Sequence, residues 1–553
     1  MPHSSTSSYT KLVPLLGLLG LGACAPVEPG LEMPLDELIE DGEIVGEGKE
    51  DDFLSMSARE FVIAGTDTVV LEDEYADRSD EDRLARAHEL IALRQIALAW
   101  FLNQYLVDKS DDDANAQFGG FGAMSKAGDY AALNVRETAP LTYAFDFEQL
   151  VAGRVDLMTR LPTRPGPSAT ARLFTLTVGR PTNAEMARLE TNAEWYRSAP
   201  WSAWNPSTTD ASRRLDLEVT IRREVESQDA WFDYVRLFED GVLDIDVHFG
   251  WDYHDAYHVQ HASALHSWLR AQGFRAPVAS FEELRRDSGP YTRTLRANGR
   301  TIQLEVRIFY GRDDSDVDPD TDAGGRQLED DMRGSLATRD VIVYSGHSGP
   351  FYGFALANWR TTSEGDLDDS ELETAEMPAD RYQIVLAEGC DTYQIGAAFR
   401  RNPNKPDLRN LDVITTTSFS NASTPAAVQD FLSRLIERDS RGRHRPRTVR
   451  SLLTDLDDNS GWGFHTMYGM HGIDDAPQLH PYADAEMIGE LCSVNADCGD
   501  IGNMCVRMPD RTRRCTAVCT SDDACGEGWS CRPLASSVQR AIYGSACAPL
   551  PTR

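Results

Sequence analysis

Of ten cysteines, eight cluster in the last 62 residues and one stands at position 24, leaving Cys390 alone in the middle of the chain, just past an apolar run in Ile384-Val-Leu-Ala-Glu-Gly-Cys390. His347 stands in a similar place, three residues past Val341-Ile-Val-Tyr344, in the string VIVYSGHSG. A thiolate attacks carbonyl carbon, and an imidazole within reach takes the thiol proton and later delivers it to a departing amine. Backbone N–H groups at Cys390 and at Ser348 or Gly349 are the candidate oxyanion donors for such a reaction. Taken singly, each residue has a plainer reading, an inert buried thiol and a satisfied loop histidine. Together, on Gly-containing loops that each follow an apolar run, they favour chemistry.

The elements that must position them follow from hydrophobic rhythm. Apolar runs at 302–310, 341–344, 382–387 and 411–416 alternate with helical stretches at 256–272, 327–336 and 425–436. This predicts an α/β domain over 241–488, a mostly parallel sheet with helices on both faces, whose ligands sit beyond the carboxyl ends of the strands. Upstream, every second residue is apolar in 141–147 and 215–221. Residues 53–240 therefore read as a β-rich accessory domain, with a helix at 82–107 as its packing layer. The Glu239-Asp240-Gly241 turn reads as a hairpin joining 231–238 to 242–249.

An apolar strand running into a His-bearing loop, then a second running into Gly389-Cys390, resembles the caspase-like peptidases of clan CD, a group that includes caspases, metacaspases, legumains and gingipains. The resemblance covers about 245 residues. It implies a caspase-like sheet and a cysteine-type endopeptidase that needs no cofactor, with Cys390 as nucleophile and His347 as acid/base partner. Ser348 departs from the pattern, which usually has Gly after the His. The family places a specificity residue two before the nucleophile. Here that is Glu388, with Asp391 adding to the field, which implies a pocket for a basic side chain. The principal alternative is a non-catalytic surface protein that binds a partner with the same domains.

Two other clusters compete. His254-Asp255-Ala-Tyr-His258, with His261 and His266, approximates the spacing of a zinc hydrolase, with Asp in place of Glu. Asp318, Asp320, Asp322 and Glu329 fall at positions 1, 3, 5 and 12 of a calcium-loop pattern, but Ala323 replaces the Gly and no helix precedes, so calcium here is a weak candidate beside a solvated acidic loop.

The chain ends carry other signals. Lys11 opens an apolar run ending Leu21-Gly22-Ala23-Cys24, which resembles a bacterial lipobox. Cys24 is thus the expected lipid-attachment residue after a signal peptide over 1–24, followed by an acidic tether over 25–52. Ala25, rather than Asp, points to the outer membrane. Near the other end, Cys492, Cys498, Cys505 and Cys515 are echoed by Cys519, Cys525, Cys531 and Cys547, so 489–553 reads as a duplicated disulfide module of open connectivity. The balance of 54 basic against 89 acidic residues gives a net charge of −35, which disfavours nucleic acid. The expected partners are a peptide or protein substrate and, through lipid, a membrane.

Overall fold

Ile384 to Ala387 and Val341 to Tyr344 are apolar at every position, which a strand tolerates only when both of its faces are covered. The structure, a computed structural model, describes residues 53–106, 121–123, 131–188, 201, 204–252, 256–348, 353–421, 423–457, 466–499, 502–508, 510–535, 537, 540 and 544–550. Cys24 with the lipobox, the acidic tether, His254, Asp255 and Gly349 lie outside them.

The chain forms a mixed α/β fold around an eight-stranded sheet. Its spatial order is Leu54–Ser55, Tyr468–His471, Leu411–Thr416, Gln383–Glu388, Val341–Ser345, Val242–Phe249, Arg300–Tyr310 and Tyr291–Ala297. The five inner strands are parallel, and antiparallel strands close both edges. Val341, Val343, Ile384 and Leu386 face helices Tyr257–Ala271, Ala426–Leu435 and Val449–Asp457. Ile342, Tyr344, Val385 and Ala387 face helices Asp322–Thr338 and Tyr393–Arg400 on the other side. This is the two-sided covering that the uninterrupted apolar runs require.

The expected hairpin around Gly241 does not form. Tyr234–Leu237 is a helical turn capped by the Asp233 side chain, and Val242–Phe249 instead runs through the sheet interior between two parallel partners. Trp231, Phe232, Tyr234, Leu237 and Phe238 are all buried; a helical turn can bury so dense a cluster, whereas a half-exposed strand would leave every second residue in water.

Upstream lies a separate antiparallel sheet of seven strands, built on the thirteen-residue pairing of Ala58–Val70 with Thr142–Arg154. Helix Asp80–Leu106 covers it, burying Leu90, Ile91, Leu98, Trp100 and Phe101 against it. The chain reaches this sheet only after Leu54–Ser55 has joined the edge of the α/β sheet. In the C-terminal module, disulfides Cys492–Cys505, Cys498–Cys515, Cys519–Cys531 and Cys525–Cys547 join first to third and second to fourth cysteine in each quartet. The shared connectivity matches the sequence duplication. Met504, Val518, Leu534 and Ala546 pack this module onto Trp231. Among the described residues no helix is long and apolar enough to cross a membrane.

Arg94 and Asp67 form a buried ion pair at 2.7 Å inside the accessory layer, and Arg94 also donates to the Gly179 carbonyl at 2.8 Å. Removing one partner strands the other charge, so Arg94→Met should lower stability by about 3 kcal/mol or more, while Arg94→Met with Asp67→Leu should recover much of the loss. Thermal unfolding of the three proteins decides this; a single variant as stable as the parent contradicts it.

Candidate active site

Parallel register sets where the two reactive side chains emerge. Tyr344 pairs with Ala387 and Ser345 with Glu388, so His347 and Cys390 each lie two residues beyond matched strand ends. The loops are bonded directly to each other: Gly346 N–H donates to the Glu388 carbonyl at 3.1 Å, and Ser348 Oγ donates to the Cys390 carbonyl at 2.7 Å. Gly389 is needed for this approach, because a Cβ there would fall 2.2 Å from Ser348 Oγ and 2.9 Å from the Gly346 carbonyl oxygen. Ser348, the departure from the family pattern, thus acts as a strut between the loops.

A third loop completes the rim. Val242–Phe249 lies beside the histidine strand, with Phe249 level with Ser345, and Gly250 N–H donates to the Ser345 carbonyl at 2.9 Å. Two residues on, Asp252 places Oδ2 2.8 Å from His347 Nε2. Asp252 is itself buried, and its backbone N–H donates to His258 Nδ1 at 3.3 Å. Sequence reasoning missed Asp252 because its strand had been assigned to a hairpin; the usable signal was an Asp three residues past an apolar run, as His347 and Cys390 follow theirs. The Asp252–His347 contact places the carboxylate against the imidazole at ion-pair distance without the alignment of a hydrogen bond.

Among the described cysteines only Cys390 is free, and it is half-buried. Burial, then the adjacent Asp391 charge, pushes its thiol up to about 12, against hydrogen bonding from Ser420. Asp391 is buried, takes the left-handed backbone at φ 51° and donates its N–H to the Ser418 carbonyl. The backbone N–H groups of Ser348 and Cys390 donate to no acceptor among the described residues.

Glu388 does not line an open pocket. It is 5% exposed, and Tyr468 Oη donates to its Oε2. Burial pushes its carboxyl up to about 7, so near neutral pH it is a poor partner for a basic side chain.

Among the described residues the rival clusters do not converge on a metal. His258 Nδ1 is taken by the Asp252 amide, and His266 Nδ1 meets Tyr291 Oη at 2.6 Å. Asp318 accepts from the backbone of Asp314 and Asp320, and Asp320 from Asn358. Asp322 accepts from Thr362 and Glu329 from Gly365 N–H, so these carboxylates brace the neighbouring loop. Among the described residues, the groups of three His, Cys, Asp or Glu donors within 4.8 Å of one another are disulfide cysteines alone. A further grouping, His248, Ser335 and Asp246, is buried. Ser335 Oγ donates its proton to Asp246 at 2.8 Å while His248 Nε2 lies 2.9 Å away, the reverse of the order that activates a serine.

Comparison with protein-family models, with curated proteins and with solved structures finds no match to this chain.

Two measurements follow. Without substrate, alkylation of Cys390 by iodoacetamide should still be rising steeply at pH 9; a plateau by pH 7 would mean a preformed thiolate and contradict the buried-thiol account. For Glu388, the folded carboxyl titrates near 7 and the unfolded one at about 4.3. The folded state therefore holds the extra proton between these values, and its stabilising effect is complete below about pH 4 and lost as pH rises through 7. Unfolding of the parent should lose up to about 3 kcal/mol more than Glu388→Gln between pH 5 and 8; parallel pH profiles would refute the assignment.

Proposed function

We propose that this protein is a cysteine endopeptidase in which His347, oriented by Asp252, deprotonates Cys390 as the sulfur attacks a peptide carbonyl. The observation that carries this reading is the direct bonding of two loops, one bearing a free thiol and the other an imidazole with a buried carboxylate at its far nitrogen. With the Asp252 carboxylate beside Nε2, Nδ1 is the nitrogen we assign to proton exchange. A thiol pushed up to about 12 makes almost no thiolate at rest, so proton removal accompanies attack. The N–H groups of Ser348 and Cys390 receive the oxyanion, and the imidazolium then protonates the leaving amine. The caspase-like resemblance of the two strand-to-loop motifs supports the same assignment. The lipobox ending at Cys24 supports a tether to the cell envelope, by lipid, with the outer membrane as the membrane concerned.

Cleavage after basic residues would need a carboxylate other than Glu388. The high thiol pKa favours one second reading, a pseudopeptidase that binds peptide without cutting it.

Fluorogenic peptides ending in Arg, Lys and Asn, offered to the purified full chain, distinguish the two. Turnover should vanish in Cys390→Ala and His347→Ala, and Asp252→Asn should lower kcat roughly a hundredfold with little change in KM. Equal turnover by parent and Cys390→Ala, or loss to a chelator with indifference to alkylation, would overturn the proposal; binding without turnover by the parent favours the pseudopeptidase.

A further inference from the structure

At the end of the sheet opposite Cys390, the turn between Tyr291–Ala297 and Arg300–Tyr310, the loop after helix Ala426–Leu435 and the disulfide module enclose a cleft of 1280 Å³. The geometry follows from strand direction: Arg300 begins a strand whose parallel neighbours lead, at their far ends, to the Asp252, His347 and Cys390 loops. Arg296, Arg300, Arg438, Arg441, Arg443 and Arg445 line the cleft, and Asp439 is the only carboxylate among its lining residues. Asp439 is engaged by Arg443 at 2.9 Å, and Arg445 reaches Glu437 at 3.3 Å. The other four arginines make no ion pair among the described residues.

Four exposed guanidinium groups with no carboxylate partner among the described residues crowd this one cleft, in a chain whose 89 acidic residues outnumber its 54 basic ones. The crowding is felt locally: burial and then the Arg438 charge lower the neighbouring Arg293 guanidinium to about 10.

We infer that this cleft binds a short acidic peptide segment, a run of aspartate or glutamate side chains from a partner protein. The guanidinium fork matches a carboxylate with two hydrogen bonds, and the cleft is too large for a single small anion. The net charge of −35 repels a long polyanion such as nucleic acid, whereas a short segment meets the arginines inside a Debye length of about 10 Å. Asn298, on the turn, adds an uncharged donor for the peptide main chain. The inference is independent of the chemistry at Cys390.

Fluorescence anisotropy of the full chain with labelled hexaglutamate, and with labelled hexaglutamine as control, tests it. The parent should bind hexaglutamate alone, more weakly as salt is added. Arg438→Gln with Arg441→Gln should weaken binding about tenfold, and Arg438→Glu with Arg441→Glu should abolish it. Both arginines are exposed, so thermal unfolding should be unchanged and either pair serves if the other misfolds. No hexaglutamate binding by the parent at low salt, equal affinity in the variants, or stronger binding of a single-stranded oligonucleotide of equal charge would each overturn the inference.

Discussion

Parallel pairing of Val341–Ser345 with Gln383–Glu388 is the constraint on which the candidate site depends. Because the pairing ends level at Ser345 and Glu388, two separate loops start from the same edge and meet through Ser348 Oγ and the Cys390 carbonyl. Both strands have side chains packed on both faces, so a slip of one residue would move every one of them to the wrong layer. Packing of the two cores therefore fixes a distance-dependent relationship at the rim, far from most of the atoms that determine it. Val242–Phe249 adds the third member by the same rule, since its register delivers Asp252 to the outer nitrogen of His347.

The electrostatics of the rim set its chemistry. Burial and then the Asp391 charge oppose a thiolate at Cys390, while the Asp252 carboxylate lies 2.8 Å from His347 Nε2. On the proposed reading, such a site stays quiet until a bound carbonyl makes proton transfer worthwhile. Glu388, on the strand that leads to Cys390, avoids adding another charge there by being driven toward its neutral form and bonded to Tyr468.

Much of the α/β layer was legible because fully buried parallel strands write uninterrupted apolar runs, and the strands at Arg300–Tyr310, Val341–Ser345, Gln383–Glu388 and Leu411–Thr416 lie where those runs are. The helix at Asp80–Leu106 and the strands at Thr142–Arg154 and Arg214–Arg223 were legible from their periodicity in the same way. The hairpin around Gly241 was misread because a Glu-Asp-Gly turn between two apolar segments looks alike whether the first segment is a strand or a helical turn. That misreading hid Asp252. The burial of Glu388 was hidden for another reason: its partner Tyr468 lies 80 residues away, and no local pattern announces a bond of that range. Disulfide connectivity was likewise a matter of three-dimensional approach, although the duplication in sequence anticipated its repetition.

The most direct test of the account is covalent capture of the nucleophile. A peptide aldehyde added to the parent protein should form a hemithioacetal at Cys390, seen crystallographically with its oxygen facing the N–H groups of Ser348 and Cys390, and His347→Ala should not form it. A sulfur that stays unmodified in the parent, or an adduct that forms equally without the imidazole, would contradict the claim that the two loops act as one site.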